Sequence, residues 1–332
     1  MVQTAAINPE TTGNPRGKGT AGSFPSFSKQ FKKRRKWLKV LAFLAPALLI
    51  YSLFMALPLL LSLKVSLYHG AGAVSGDYVG LANFKSLFTN QTYSVRFFNA
   101  LTNNFKLFFM TMLFQNVLAL LIALVLNKEL PFFGAIRTIL FMPVTMSVLL
   151  IGFVWTLILN PNWGSLNYLL TAAGLGSLAK PWLGDPHLAL VSVAAVNAWQ
   201  YIGLPIMMFL AGLQAIPKEY FEAAQIDGAG PLRQFRHIAL PHLLPVIGMV
   251  TILTLVGDFS SFELVYALEG TLAGPNYATD VLGTLFYRTA FSSYGGTIPD
   301  LGLGAVIATI TFFIVLAIVL IWLYFTLWRK QE

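Results

Sequence analysis

Six long apolar runs constrain this chain more than anything else in it. They lie at about 39–66, 101–127, 138–160, 188–213, 243–268 and 301–328. Each is long enough to cross a hydrocarbon core of about 30 Å as a helix rising 1.5 Å per residue. Lipid offers no hydrogen bonds, so a crossing segment must satisfy its own backbone, and a helix does that locally. The expected fold class is therefore an all-α integral membrane protein with six transmembrane helices. Composition agrees, because only 11% of the residues are charged, against about 25% in soluble domains.

The net charge is +9, and nine of the 22 basic residues fall within the first 39 positions, mostly in "KQFKKRRKWLK". That cluster abuts the first apolar run, so it reads as an anchor on anionic lipid and not as a nucleic-acid tail. With this end cytoplasmic, the tail, 128–137, 214–242 and 329–332 hold sixteen of the basic residues. Both termini are then expected in the cytoplasm, with 67–100, 161–187 and 269–300 outside. In those outer loops Trp163 and Trp182 suit either an interfacial aromatic belt or an ordinary surface. Residues 1–36 read as a disordered basic tail, 37–328 as the transmembrane domain and 329–332 as a cytoplasmic end. The first span is expected to stay as an anchor, since no small-residue cleavage pattern follows the basic run. The chain has no cysteine, which excludes thiol chemistry, and its four scattered histidines suggest no metal site.

The most polar stretch of the second half, "EYFEAAQIDGAGPLRQFRHIALP" (219–241), falls on the cytoplasmic side. Pro217 suits the first turn of a short helix, and Glu219 and Glu222 sit near its positive end. Asp227-Gly228-Ala229-Gly230-Pro231 must end that helix. A second short helix, "LRQFRHIAL", follows, and Pro241 leads into the fifth span. A purely solvated linker has no need of Tyr220, Phe221, Phe235 and Ile238. Two short amphipathic helices at a fixed angle form a protrusion suited to a partner's groove.

The pattern E-A-A-x-x-D-G-A at 222–229 and I-x-L-P at 238–241 closely resembles the cytoplasmic EAA loop of permease subunits of binding-protein-dependent ABC importers. "AGLQAIPKEYFEAA" (211–224), "VGLANFKSLF" (79–88) and "WLGDP" (182–186) extend the match. Together they resemble the carbohydrate-uptake branch, with its maltose, multiple-sugar and glycerol-phosphate permeases, over about residues 37–328. The resemblance implies a coupling helix between spans four and five. Glu222, Ala223, Ala224, Asp227, Gly228 and Ala229 would dock in an ATPase subunit. It implies two ATPase subunits, a second homologous permease, an extracytoplasmic solute-binding protein, and a place in a bacterial inner membrane. The nearest approach to a phosphate loop, "GNPRGK" at 13–18, has the wrong spacing. ATP and magnesium would thus be bound by the partner, with no cofactor and no catalytic residue in this chain.

Polar residues deep in a span are functional suspects. In the fifth run, Asp258, Ser261 and Phe262 share one face of a continuous helix, and Thr254 extends it. In the fourth, Gln200 and Tyr201 are polar while Gly203 and Pro205 loosen the helix. These are the candidates for the substrate pathway, since carboxylates, amides and hydroxyls suit sugar hydroxyls and an aromatic ring suits a sugar's apolar face. Asp258 and Ser261 read equally well as helix-to-helix glue. Glu263, on another face, and Asn197 read as glue. Gln115, Asn116 and Pro143 are left between lining a path and kinking a helix. In the maltose permeases, the face matching Asp258 and Ser261 contacts sugar but carries amides. A smaller sugar, a polyol or a glycoside is therefore as open as a maltodextrin. An ABC permease for another solute and an ion-coupled secondary transporter remain the alternatives.

Overall fold

The computed structural model describes residues 27–70, 76–128, 132–292 and 299–328, with the side chains of 27–38 and 326–328 left aside. The rest of the expected tail and the 329–332 end lie outside the described residues. Contacts divide the chain into two units, residues 1–58 and 59–332.

In the first unit, helix α1 runs from Phe27 to Tyr51, followed by one π turn, Ser52–Ala56. The basic run after Phe27 is therefore helical, which places the end of the expected tail earlier than residue 36. Lysine and arginine are good helix formers and simply extend the apolar helix backwards.

Helix α2 (Leu57–Val65) begins at the end of the first unit, and the second unit continues with a two-residue antiparallel pairing of β1 (Tyr68–His69) with β2 (Asp77–Tyr78), and α3 (Ala82–Thr89). Next are α4 (Gln91–Thr111), a π turn at Met112–Val117, and α5 (Leu118–Leu126). Then follow α6 (Phe133–Phe141), α7 (Val148–Ile158), α8 (Ser165–Ala172), α9 (Ala189–Tyr201) and α10 (Gly203–Gln214). The chain continues with α11 (Lys218–Ile226), α12 (Pro231–Gln234), a π turn at Phe235–Ala239, and α13 (Leu240–Phe259). It ends with α14 (Glu263–Glu269), α15 (Leu282–Phe291) and α16 (Leu301–Trp328).

Among the described residues, four helical stretches are long and apolar enough to cross a membrane: 39–65, 91–126, 231–259 and 301–325. Two bent pairs make up to six: 133–145 with 148–158, bent by 99°, and α9 with α10, bent by 51°. Three expectations of the sequence change here. The third run is sharply folded at Met142–Thr145, where Pro143 opens a 3-10 turn. The fifth run is not continuous to 268, because Ser260–Phe262 leave the helix before α14 starts. The second coupling helix and the fifth span are one run from Pro231 to Phe259. Pro241 has no N–H to give, and the π turn just before it absorbs the lost helical bond.

Three apolar clusters hold this unit. One gathers Leu107, Ile151, Val193, Leu264 and Val265, and a second Phe97, Leu255, Phe259, Leu285 and Ile307. The third, towards the 214–242 end, gathers Ala123, Ile206, Phe209, Leu213, Leu243 and Val250. Close approach is bought by small residues where helices cross. A Cβ on Gly203 would stand 2.5 Å from the Leu140 carbonyl oxygen, so only glycine lets α10 meet the end of α6 there.

Candidate functional site

Along α4, α9 and α13 the polar positions fall between the apolar clusters, at the same depth. Asn116, in the π turn after α4, donates to Thr254 Oγ1 at 3.0 Å, and Gln115 donates to Asn116 Oδ1 at 3.2 Å. Asn197 of α9 donates to Asp258 Oδ1 at 3.0 Å and lies 3.5 Å from Thr111 Oγ1. Asn104 donates to the Asp258 backbone carbonyl at 2.9 Å and accepts from the Leu282 N–H at 2.7 Å. Asp258 is only 3% exposed, and its Oδ2 has no partner. Burying an ionisable group with one oxygen unsatisfied is costly.

This polar layer forms one wall of a cavity of about 550 Å³. Thr254, Asp258, Ser261, Phe262 and Tyr201 all line it. So do Thr111, Gln115, Asn197, Ser260 and Glu263, which the sequence reading did not place on a pathway. Ser261 and Phe262 reach the wall from the break and not from a shared helical face with Asp258. Non-helical backbone in such a segment is tolerated where it borders a cavity. Gln200 and Gly203 are not on the wall. Gln200 is 1% exposed, with neither end of its amide partnered, and Gly203 serves the contact with Leu140. Phe262 continues into a row of rings, 4.9 Å from Tyr287 and 5.3 Å from Tyr266.

The wall is braced from the other end of α4. Asn99 donates to Tyr277 O, and Asn103 to both Ala278 O and Asp280 O, at 3.0 to 3.1 Å. Asp280 is fully buried; it takes an Arg288 Nη2 contact at 2.5 Å and a Thr284 hydroxyl at 2.7 Å. Burial pushes the Asp280 carboxyl up from its ordinary value, against the pull of the Arg288 guanidinium. Glu269, at the end of α14, has its carboxyl raised to about 7 by burial.

The 216–241 segment is built differently. Helix α11 packs Phe221 on the third apolar cluster and leaves Glu222, Ala223 and Ile226 exposed. Asp227 closes the helix, Gly228 adopts φ +74°, and Ala229 N–H reaches Ala224 O at 2.8 Å while Gly228 N–H reaches Gln225 O at 3.0 Å. This is a Schellman termination, in which glycine takes the left-handed position without strain. Gln234 then donates to Ala229 O at 2.7 Å, fixing the bend to the start of α12. Ile226 and Leu232, 88% and 79% exposed, flank the bend and leave an apolar tip.

Known proteins agree with this architecture. Residues 115–331 match the family described as "Binding-protein-dependent transport system inner membrane component". The chain belongs to that family. It is 36% identical over 296 residues to the probable ABC transporter permease protein YurN of Bacillus subtilis (strain 168), covering 87% of this chain and 96% of that one. It is 32% identical over 309 residues to the arabinooligosaccharides transport system permease protein AraP of the same organism, covering 91% and 94%. The trehalose/maltose transport system permease protein MalF of Thermococcus litoralis is 30% identical over 287 residues, covering 86% and 92%. A crystal structure of a bacterial ABC transporter that imports the acidic polysaccharide alginate superposes with a TM-score of 0.72 at 23% identity, over 90% of this chain and 98% of that one, a likeness of fold. The chain is thus a multi-pass membrane component of the ABC permease type, not an enzyme of its own.

Proposed function

We propose that this chain is one of two homologous permease subunits of an ABC importer for a carbohydrate. Its transmembrane domain, about 37–328, would cross a bacterial inner membrane six times with both termini cytoplasmic. The observation that carries the reading is the cavity of about 550 Å³ lined by Tyr201, Thr254, Asp258, Ser261 and Phe262. Hydroxyls, amides and a carboxylate over an aromatic ring match the hydrogen-bonding edge and apolar face of a sugar. The names of the sugar-permease relatives support the same cargo class.

Coupling would follow from the continuous helical run that joins α12 to α13. The run from Pro231 to Phe259 is 29 residues, about 44 Å of helix at 1.5 Å per residue. Its first turn is tied to the bend at Gly228, and its last turn carries Asp258. Glu222, Ala223, Ala224, Asp227, Gly228 and Ala229 would sit in a groove of an ATPase subunit, two of which would bind ATP and magnesium for the complex. Closure of the ATPases would pull one end of α13, and the break at Ser260–Phe262 would let the other end turn about the cavity. An extracytoplasmic solute-binding protein would deliver the cargo.

The test is ATP-driven uptake in proteoliposomes holding both permeases, the ATPases and the binding protein, over a panel of neutral sugars and amino acids. Uptake of a sugar, lost with Asp258→Ala while the complex stays assembled, is the expected result. Uptake of amino acids alone would move the chain to another solute class. Uptake driven by an ion gradient without ATP would overturn the reading.

A further inference from the structure

Resting on that reading of the cavity, we propose that Glu263 sets a charge filter in the pathway, admitting neutral and amine-bearing sugars and rejecting uronates and sugar phosphates. The cavity wall carries two carboxylates, Asp258 and Glu263, and among the described residues no lysine, arginine or histidine lines it. Arg137 donates to the neighbouring Met207 Sδ at 3.0 Å but is not on the wall. The two acids differ in setting. Asp258 is 3% exposed, held on one oxygen by Asn197, and open on the other. Glu263 is exposed on the wall, at the first position of α14, immediately after the break.

A carboxylate on the wall of a cleft acts over several ångströms, because the low-dielectric walls focus its field. An incoming carboxylate or phosphate would meet a like charge at Glu263. A hydroxyl would satisfy the open Asp258 oxygen without that repulsion, and a protonated amine would gain from Glu263. Desolvating an anion beside a carboxylate with no compensating cation is the costly case. The break makes this wall possible: a continuous helix would turn Glu263 to a different face from Asp258 and Thr254.

The experiment is equilibrium binding of labelled glucose, glucosamine and glucuronate to the nucleotide-free permease–ATPase complex in nanodiscs at pH 6.5. There the amine is protonated and the uronate ionised. The wild type is expected to bind glucosamine at least about tenfold more tightly than glucuronate, with glucose between. Glu263→Gln should shrink that ratio by roughly tenfold and shift glucose by less than about threefold. Glu263→Lys should place glucuronate first. Whatever the second permease contributes is common to all three proteins. A ratio unchanged in Glu263→Gln, with sugars still bound, overturns the filter and leaves the carbohydrate pathway standing. Binding of none of the three sugars overturns the pathway reading itself.

Discussion

The helical run from Pro231 to Phe259 ends in two contrasting ways. At its start the bend is closed by backbone: the Ala229–Ala224 and Gly228–Gln225 bonds and the Gln234 amide settle its shape, and its tip is exposed. At its far end, Asp258 is held by side chains from α4 and α9, and the backbone leaves the helix at Ser260. The first end is a compact, exposed bend, the surface that an ATPase would grip on the proposed reading. The second is a network of buried polar groups around a break. One helical run would thus connect a part that transmits force to a part that can rearrange, and substitutions at the two should fail differently.

The largest effect is expected at the brace behind the cavity. Arg288→Ala would leave Asp280 fully buried without its cation. Removing one partner of a buried ion pair costs about 3–5 kcal/mol. The thermal midpoint of the detergent-solubilised complex should fall by several degrees, and Arg288→Lys should recover only part of it. An unchanged midpoint would mean that the asparagine ladder alone holds the 277–282 segment.

Glu222→Lys should do the opposite. The residue is exposed on the surface of α11, so stability should change by less than about 0.5 kcal/mol. Uptake, however, should drop on the order of a hundredfold, because the charge on the docking face is reversed. If uptake survives, the gripped surface is elsewhere on the bend. A collapse of the thermal midpoint would instead erase the contrast between the two ends.

How much of this was legible follows from what kind of pattern each feature leaves. Apolar runs announce helices because lipid forces every backbone group inward. The 222–241 bend was legible because glycine, proline and the EAA spacing are local. The cavity was less so. The run "FELVYAL" is as apolar as the helix before it, so hydropathy hides the break at Ser260–Phe262. Each residue turns a helix by about 100°, so three non-helical residues destroy the phase on which a helical wheel depends. That is why Glu263 was assigned to another face yet lies on the wall. Within α9, Asn197 and Tyr201, one turn apart, reach the cavity, while Gln200 lies in the packing. Gln115 and Asn116 carried a signal, two adjacent amides mid-span, but only the π turn shows which way they face.

The smallest effect sharpens the comparison by pH. Glu269 sits beyond the cavity on α14, with Oε1 unpartnered, and Oε2 would lie 2.9 Å from a Cβ on Gly274. Its carboxyl is raised from 4.5 to about 7 by burial, so the folded chain keeps a proton that the unfolded chain loses above 4.5. Between those values the folded state binds more protons, and stability must fall as pH rises, levelling off above about 7. Glu269→Gln keeps the shape and removes the ionisation. It should be more stable than the wild type by about 1–2 kcal/mol at pH 8, after allowance for the partial exposure of the carboxyl. The gain should have largely gone at pH 5, where both forms are close to neutral in the fold. Paired thermal melts at the two pH values read this directly. A gain that persists undiminished at pH 5 would show that the substitution acts through packing against Gly274. A loss at both would show that the ionised carboxylate has a partner in the assembled importer, which would extend the side-chain network of the cavity end to the outer loop.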